Sequence, residues 1–398
     1  MFARPRQRQR GLVLIVLLAL LLAGASFVLM RGIAAHAATA NEDLQRTYRA
    51  LNAAKEALIG YAVSYPCFTG ADDPCDGWDE GPGYLPCPDR TGTGSPGGNC
   101  SWAGGTSIGW LPEKYLKLNQ APGGPGRRLW YAVSDNFRYG ANKRVPLNSE
   151  TPGQLSVDGS ADVVAVVIAP GPELAGQDRT AFPNNVSQFL EGENATAADT
   201  LFTAVTNAGM NDRMIAITRQ DLMTAVEQRV AAVAAGILDD YRNAFGHYPW
   251  LSPFVANPAS FDSEMCTTEG RLPIDELQAA LPQMPAWLKT DDWHLLVYAA
   301  YASPYAPDIL PPDPPCPAPT LSITLRKQAP APALPVDNQV PGVVLVAGPA
   351  LPFQARPGNA SAYFEDENDA SATANAMFVR APLSTAFNDQ VKSLGAAP

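Results

Sequence analysis

VIAPGPEL (Val167–Leu174) and VLVAGPAL (Val344–Leu351) are two renderings of one phrase, an apolar strand that runs into a Gly-Pro turn. The runs around them, Asp162–Ala169 and Gly342–Ala347, are short, β-branched and closed by turn residues, so they read as central strands. Moving outward, the match continues in order. Gln177 and Arg179 return as Gln354 and Arg356 at the same offset, Leu190-Glu191-Gly192-Glu193-Asn194 as Phe364-Glu365-Asp366-Glu367-Asn368, and Phe202 as Phe378. On the N-terminal side Leu129-Trp130-Tyr131-Ala132-Val133 pairs with Leu296-Val297-Tyr298-Ala299-Ala300, and Leu58-Ile59-Gly60-Tyr61 with Leu238-Asp239-Asp240-Tyr241. A common order at nearly constant spacing marks an internal duplication. The expected fold is α+β, with two heads in tandem over 32–217 and 218–398, each a helix laid on a small antiparallel sheet.

The helices are expected over 41–63 and 218–245. In the first, Leu44, Tyr48, Leu51, Ala54, Leu58 and Tyr61 recur at steps of three and four. In the second, Leu222, Val226, Val230, Val233, Ile237 and Tyr241 form a stripe for its own sheet, which leaves Glu227, Gln228, Arg229, Asp239, Asp240 and Arg242 for solvent. Asp221 sits early, where a helix start favours an acid. The prolines of ILPPDPPCPAPT rule out a regular helix between Ser303 and Pro335 and predict an extended loop tied down through Cys316.

Ahead of the first helix stands LVLIVLLALLLAGASFVLM (Leu12–Met30), without charge or proline. At about 1.5 Å per residue it nearly matches a hydrocarbon core of about 30 Å, so a transmembrane helix is expected over 12–31 after a basic leader, 1–11. Arg4, Arg6, Arg8 and Arg10 precede the run and Arg31 alone closely follows it, which places the N-terminus in the cytoplasm and the heads outside. One unbroken helix from 12 to 63 then joins membrane and head. The other reading is a cleaved secretory signal, with small residues at Ala34–Ala40 as the cleavage site.

With 46% hydrophobic and 17% charged residues the chain is globular by composition, and its 38 prolines and 32 glycines predict many turns. A net charge of −11 excludes nucleic acid as a partner class. Cys67, Cys75, Cys87 and Cys100 crowd a polar, loop-rich stretch in no zinc pattern. In an oxidising compartment disulfides staple such a stretch. Among the connectivities of six cysteines, Cys67–Cys75, Cys87–Cys100 and Cys266–Cys316 are preferred, with free thiols as the alternative.

The leader ending in Arg10–Gly11, the apolar helix, its amphipathic continuation and the cysteine- and glycine-rich opening of the head resemble type IV pilins and type II secretion pseudopilins. AAKEALIGYAV (Ala53–Val63), GYLPCPD (Gly83–Asp89), RLWYAVS (Arg128–Ser134) and VVAVVIAPG (Val163–Gly171) are similar to a group of large minor-pilin-like proteins of proteobacteria. The resemblance implies cleavage by a prepilin peptidase between Gly11 and Leu12, methylation of the new terminus, and entry into a filament with other pilin-like subunits. Two positions depart from the family: Leu12 stands where Phe is usual, and Val16 where most pilins have Glu. That glutamate neutralises the terminal amine of the subunit ahead, which offsets a charge in hydrocarbon. Val16 suits a subunit at the filament tip, and equally a protein that is anchored and never assembles.

Residues for chemistry are sparse. His36, His247 and His294 lie in no ligand pattern, and no nucleophile elbow, Walker loop or dinucleotide fingerprint occurs. Asp72, Asp73, Asp76 and Asp79, and again Glu365, Asp366, Glu367 and Asp369, are oxygen-rich enough for calcium but lack the spacing of a known loop, so a solvated acidic face is the simpler reading. Trp78, Tyr84, Trp102 and Trp110 form either a ligand platform or a small core beneath the disulfides. The expectation is therefore a minor pilin or pseudopilin-like filament component in the inner membrane and periplasm, acting by assembly and binding, with no cofactor and no enzyme activity. Its rivals are an inner-membrane-anchored binding or adhesion protein that does not polymerise, and an enzyme of unfamiliar type in the head.

Overall fold

The computed structural model describes residues 9–64, 81–97, 106–118, 128–138, 146–181, 183–196, 200–307, 316, 322–328, 335–369 and 377–395. Helix α1 (Gln9–Ser64) is one continuous helix. Of the expected stripe only Leu51, Ala54 and Leu58 are fully buried, joined by Ala62; Leu44 and Tyr48 are exposed and Tyr61 is half-buried, because the head covers only the far end of the helix. The expected transmembrane helix over 12–31 is not found: among the described residues no helix is long and apolar enough to cross a membrane.

In the first half β1 (Thr106–Trp110), β2 (Trp130–Ser134), β3 (Leu155–Val157), β4 (Ser160–Ala169), β5 (Leu201–Phe202) and β6 (Arg213–Thr218) make a sheet of order β1-β2-β4-β3-β5, with β6 on β4. The second half has two sheets. One is β13 (Gln390–Ser393), β11 (Gly342–Val346), β8 (Val297–Tyr301), β7 (Glu269–Gly270); the other is β10 (Val336–Val340), β9 (Ile323–Lys327), β12 (Met377–Arg380). Joining β10 to β11 across Pro341 reproduces the first order strand for strand, down to the parallel pairs Val157 with Phe202 and Leu325 with Phe378. Proline has no N–H to give a ladder, so the long strand breaks there. At the matching place in β4 the first sheet has a register shift between Val163 and Ala165, the milder form of the same interruption.

Three expectations change. Tyr131 and Tyr298 are not equivalent: Trp130 faces Ile168 as Tyr298 faces Leu345, one residue out from the sequence match, and a slip of one turns a side chain to the other face. The proline-rich stretch expected as loop contains β9, since an extended backbone can also join a ladder. Glu227, expected in solvent, is 2% exposed, because α2 (Arg219–Phe245) meets both halves.

Helix α2 starts on a capping box, Thr218 with Asp221, and ends at Gly246 in the left-handed conformation. It packs on β11 and β13 of its own sheet and also on α1, β4 and β6. One continuous core therefore runs from Leu51 and Leu58 through Val226, Val230 and Leu238 to Val344 and Leu345. A smaller cluster built on Trp110, Trp130, Phe189 and Phe202 lies in the first half.

The disulfide Cys266–Cys316 is present with a Cα separation of 5.3 Å, inside the range for an unforced bridge. Cys87 is also disulfide-bonded. The expected pairings Cys67–Cys75 and Cys87–Cys100 lie outside the described residues, as do Asp72, Asp73, Asp76, Asp79, Trp78 and Trp102. The bridge spans 50 residues. Cys266→Ser with Cys316→Ser is expected to cost about 3 kcal/mol, read as a lower melting temperature under non-reducing conditions.

Candidate functional site

Two arrangements stand out from the packing. The first is a knot of polar side chains that occurs twice. Arg179 donates to the carbonyls of Gly171 (2.8 Å), Gln188 (3.1 Å) and Phe189 (3.3 Å) and to Gln177 Oε1 (2.9 Å). Gln177 Nε2 donates to Glu191 Oε1 (2.9 Å), and the Asn211 N–H to Glu191 Oε2 (3.0 Å). Asp212 Oδ2 accepts from the Glu191 N–H and from Asn194 Nδ2, both at 3.1 Å. In the second half Arg356 reaches the carbonyls of Gly348, Ala362 and Tyr363 and Gln354 Oε1 in the same way. Gln354, Glu365, Asn388, Asn368 and Asp389 complete it with matching atoms.

The chemistry of these knots is constrained by burial. Asp212 is 2% exposed, and burial, reinforced by the neighbouring Glu191 carboxylate, pushes its pKa up to about 7. Burial and Glu365 push Asp389 upward for the same reason. An acid pair beside an arginine has the parts of a proton-transfer site. Here, however, three of each arginine's partners are backbone carbonyls of adjoining turns, and the acids themselves are buried. The knots brace the turns after β4 and β11; the arrangement is architectural.

The acidic run expected as a weak calcium candidate is divided by this geometry. Glu365 belongs to the knot, Glu367 faces Arg326, and Asp366 takes a positive φ of 51°. Among the described residues no group of three His, Cys, Asp or Glu is placed to hold a metal ion. Tyr84 and Trp110 are buried, with Trp110 stacked 4.2 Å from Trp130, so these two aromatics serve as core. His294 is buried with Nδ1 3.2 Å from the Leu288 carbonyl, and His247 Nδ1 lies 2.9 Å from the Tyr248 carbonyl. Asp212 and Asp389 escaped the sequence reading, although the dipeptides Asn211-Asp212 and Asn388-Asp389 recur at the offset of the other matches.

The second arrangement is the outer part of α1. Ile15, Val16, Leu17, Leu18, Leu20, Leu21 and Leu22 are each 51–68% exposed, so the helix is bare of protein all round. Gly11 and Leu12, the expected processing site, lie in its first turns. Val16 adds one more apolar side chain to that surface where the family has an acid. An apolar surface of this extent requires a cover, and one end of the rod is firmly set in the core while the other offers it. No family model matches the chain, and no curated protein or solved structure matches it either, so the likeness to pilins is carried by the sequence motifs alone.

Proposed function

We infer that this chain is a minor pilin-like subunit that acts by assembly, its bare apolar helix packing against the corresponding helices of other pilin-like subunits. The observation that carries this reading is the exposure of Ile15–Leu22 on every side of a helix whose other end is buried in the head. Helices without a polar face need neighbours, and one rigid helix shared between head and assembly passes load directly from one to the other. The Cys266–Cys316 bridge supports a place outside the cytoplasm, where thiols stay oxidised. Val16 favours a tip position over the shaft, or a subunit held by its helix without polymerising, because it gives no acid to a terminal amine ahead of it.

Processing and association test this together. Mass spectrometry of the mature protein is expected to find Leu12 as the first residue, made by a prepilin peptidase. Leu18→Asp places a charge in the middle of the apolar surface and is expected to weaken self-association at least about tenfold while the head melts unchanged. A mature terminus at Met1 or near Ala40, together with association indifferent to Leu18→Asp, would sink the reading.

A further inference from the structure

Helix α2 is seated on α1 at the end of β6: Lys55 Nζ binds Asp221 in the first turn of α2 (2.9 Å) and the Ala216 carbonyl on β6 (3.2 Å). The duplication supplies a second seat of this kind, and among the described residues no helix covers it. Buried Leu51, Ala54 and Leu58 of α1 correspond to buried Ala231, Ala234 and Leu238 of α2. The sheet registers set Ala216 opposite Val166 as Ser393 stands opposite Val343. By this correspondence Lys55, Ala216 and Thr218, where α2 begins, become Ala235, Ser393 and Gly395. All three line an open groove of about 850 Å³ between α2 and β13. The molecule thus displays what covers such a groove in its own first half, namely a helix.

We propose that this groove receives α1 of a second copy of the chain, along Asn41–Thr47, so that the seating of α2 on α1 is repeated between subunits. In that arrangement Glu42, Asp43 and Arg46 of the incoming copy take the places of Leu222, Met223 and Val226. The chemistry changes on both sides at once. Within the chain the contact is apolar: Leu222, Met223 and Val226 are fully buried, and Ile59 and Val63 pack on the same core. In the groove, Asp239 and Asn243 stand where Ile59 and Val63 stood, with Asp240 and Lys392 exposed on the walls. Glu42, Asp43 and Arg46 are exposed in their turn, Arg46 bound only to Asp43 across one turn at 3.0 Å. Arg46 pairs with Asp240, and the acids beside it with Lys392. Two different surfaces meet, so the contact need not close on itself and extends into an open helical array.

The proposal rests on the assembly reading and adds the surface at which heads meet. Its test uses the full, disulfide-intact chain in sedimentation experiments over a range of concentration. A Cβ added at Gly236 meets nothing within 4 Å, so a side chain can leave the helix there, and Gly236→Trp puts a large one at the groove. Gly236→Trp, Asp240→Arg and Arg46→Glu are each expected to weaken association about tenfold, and Asp240→Arg combined with Arg46→Glu to regain most of it. Association untouched by Gly236→Trp, or no regain in the double variant, overturns the proposal. Leu18→Asp separates the two failures: if it abolishes association while the groove variants leave it intact, assembly stands and this contact falls. If Leu18→Asp leaves association intact as well, both fall.

Discussion

Replacing Asp291 with alanine is expected to lower the unfolding free energy by about 4 kcal/mol. Asp291 is fully buried at the end of a short helix of the second half, Trp287–Thr290, yet its carboxylate serves the first half. Oδ2 accepts from the Gly81 N–H (2.9 Å), and Oδ1 from the Leu147 N–H (3.2 Å) and the Tyr84 hydroxyl (3.4 Å). Its carbonyl also accepts from Asn148 Nδ2 at 2.9 Å. Alanine leaves two backbone N–H groups without their acceptor in a place water does not reach, and the full desolvation cost of each is then felt. The check is urea unfolding, with the midpoint shifted and the slope retained. A loss under about 1 kcal/mol would show that the contact between halves does not depend on this carboxylate.

The second large effect is one of pH. Burial pushes Glu227 up to about 8, against the opposing pull of the Ser149 hydroxyl, which donates to Oε1 at 2.7 Å, and of the more distant Arg219 and Arg356. The folded chain holds a proton that the unfolded chain has released. The stability due to this group is therefore complete below the ordinary carboxylate range and is lost as pH rises from about 4 to about 8. At full ionisation the loss is on the order of 4 kcal/mol. Asp212, with its pKa near 7, adds to the decline in the same direction. Glu227→Gln keeps an acceptor for Ser149 and has nothing to ionise, so its unfolding free energy should fall much less between pH 5 and pH 9. An unchanged slope in this variant would place the pH dependence elsewhere.

Much of the architecture was written in local chemistry. The β-branched runs before the Gly-Pro turns gave β4 and β11, the stripe from Leu222 to Ile237 gave α2, and the early Asp221 marked its start. What local pattern could not supply was the relation between the two halves. Glu227 reads as surface because its own helix offers it polar neighbours, whereas in the fold it is buried and meets Ser149, distant in sequence. Asp291 reads as one more turn residue, since its partners lie more than a hundred positions away. The equivalence of Trp130 with Tyr298 was hidden by a tyrosine match one position out, which residue identity rewards and the pleat does not. The apolar surface of α1 was legible as far as its composition, although among the described residues no helix is long and apolar enough to cross a membrane.

The core shared through α2 has a consequence for how such a chain can change over generations. Once two copies of an ancestral unit have merged their interiors, neither drifts alone, because a substitution on α2 is screened against both sheets together. Divergence is then pushed outward, to rims such as Asp239, Asp240 and Lys392, where the second half remains at liberty to acquire a neighbour of its own.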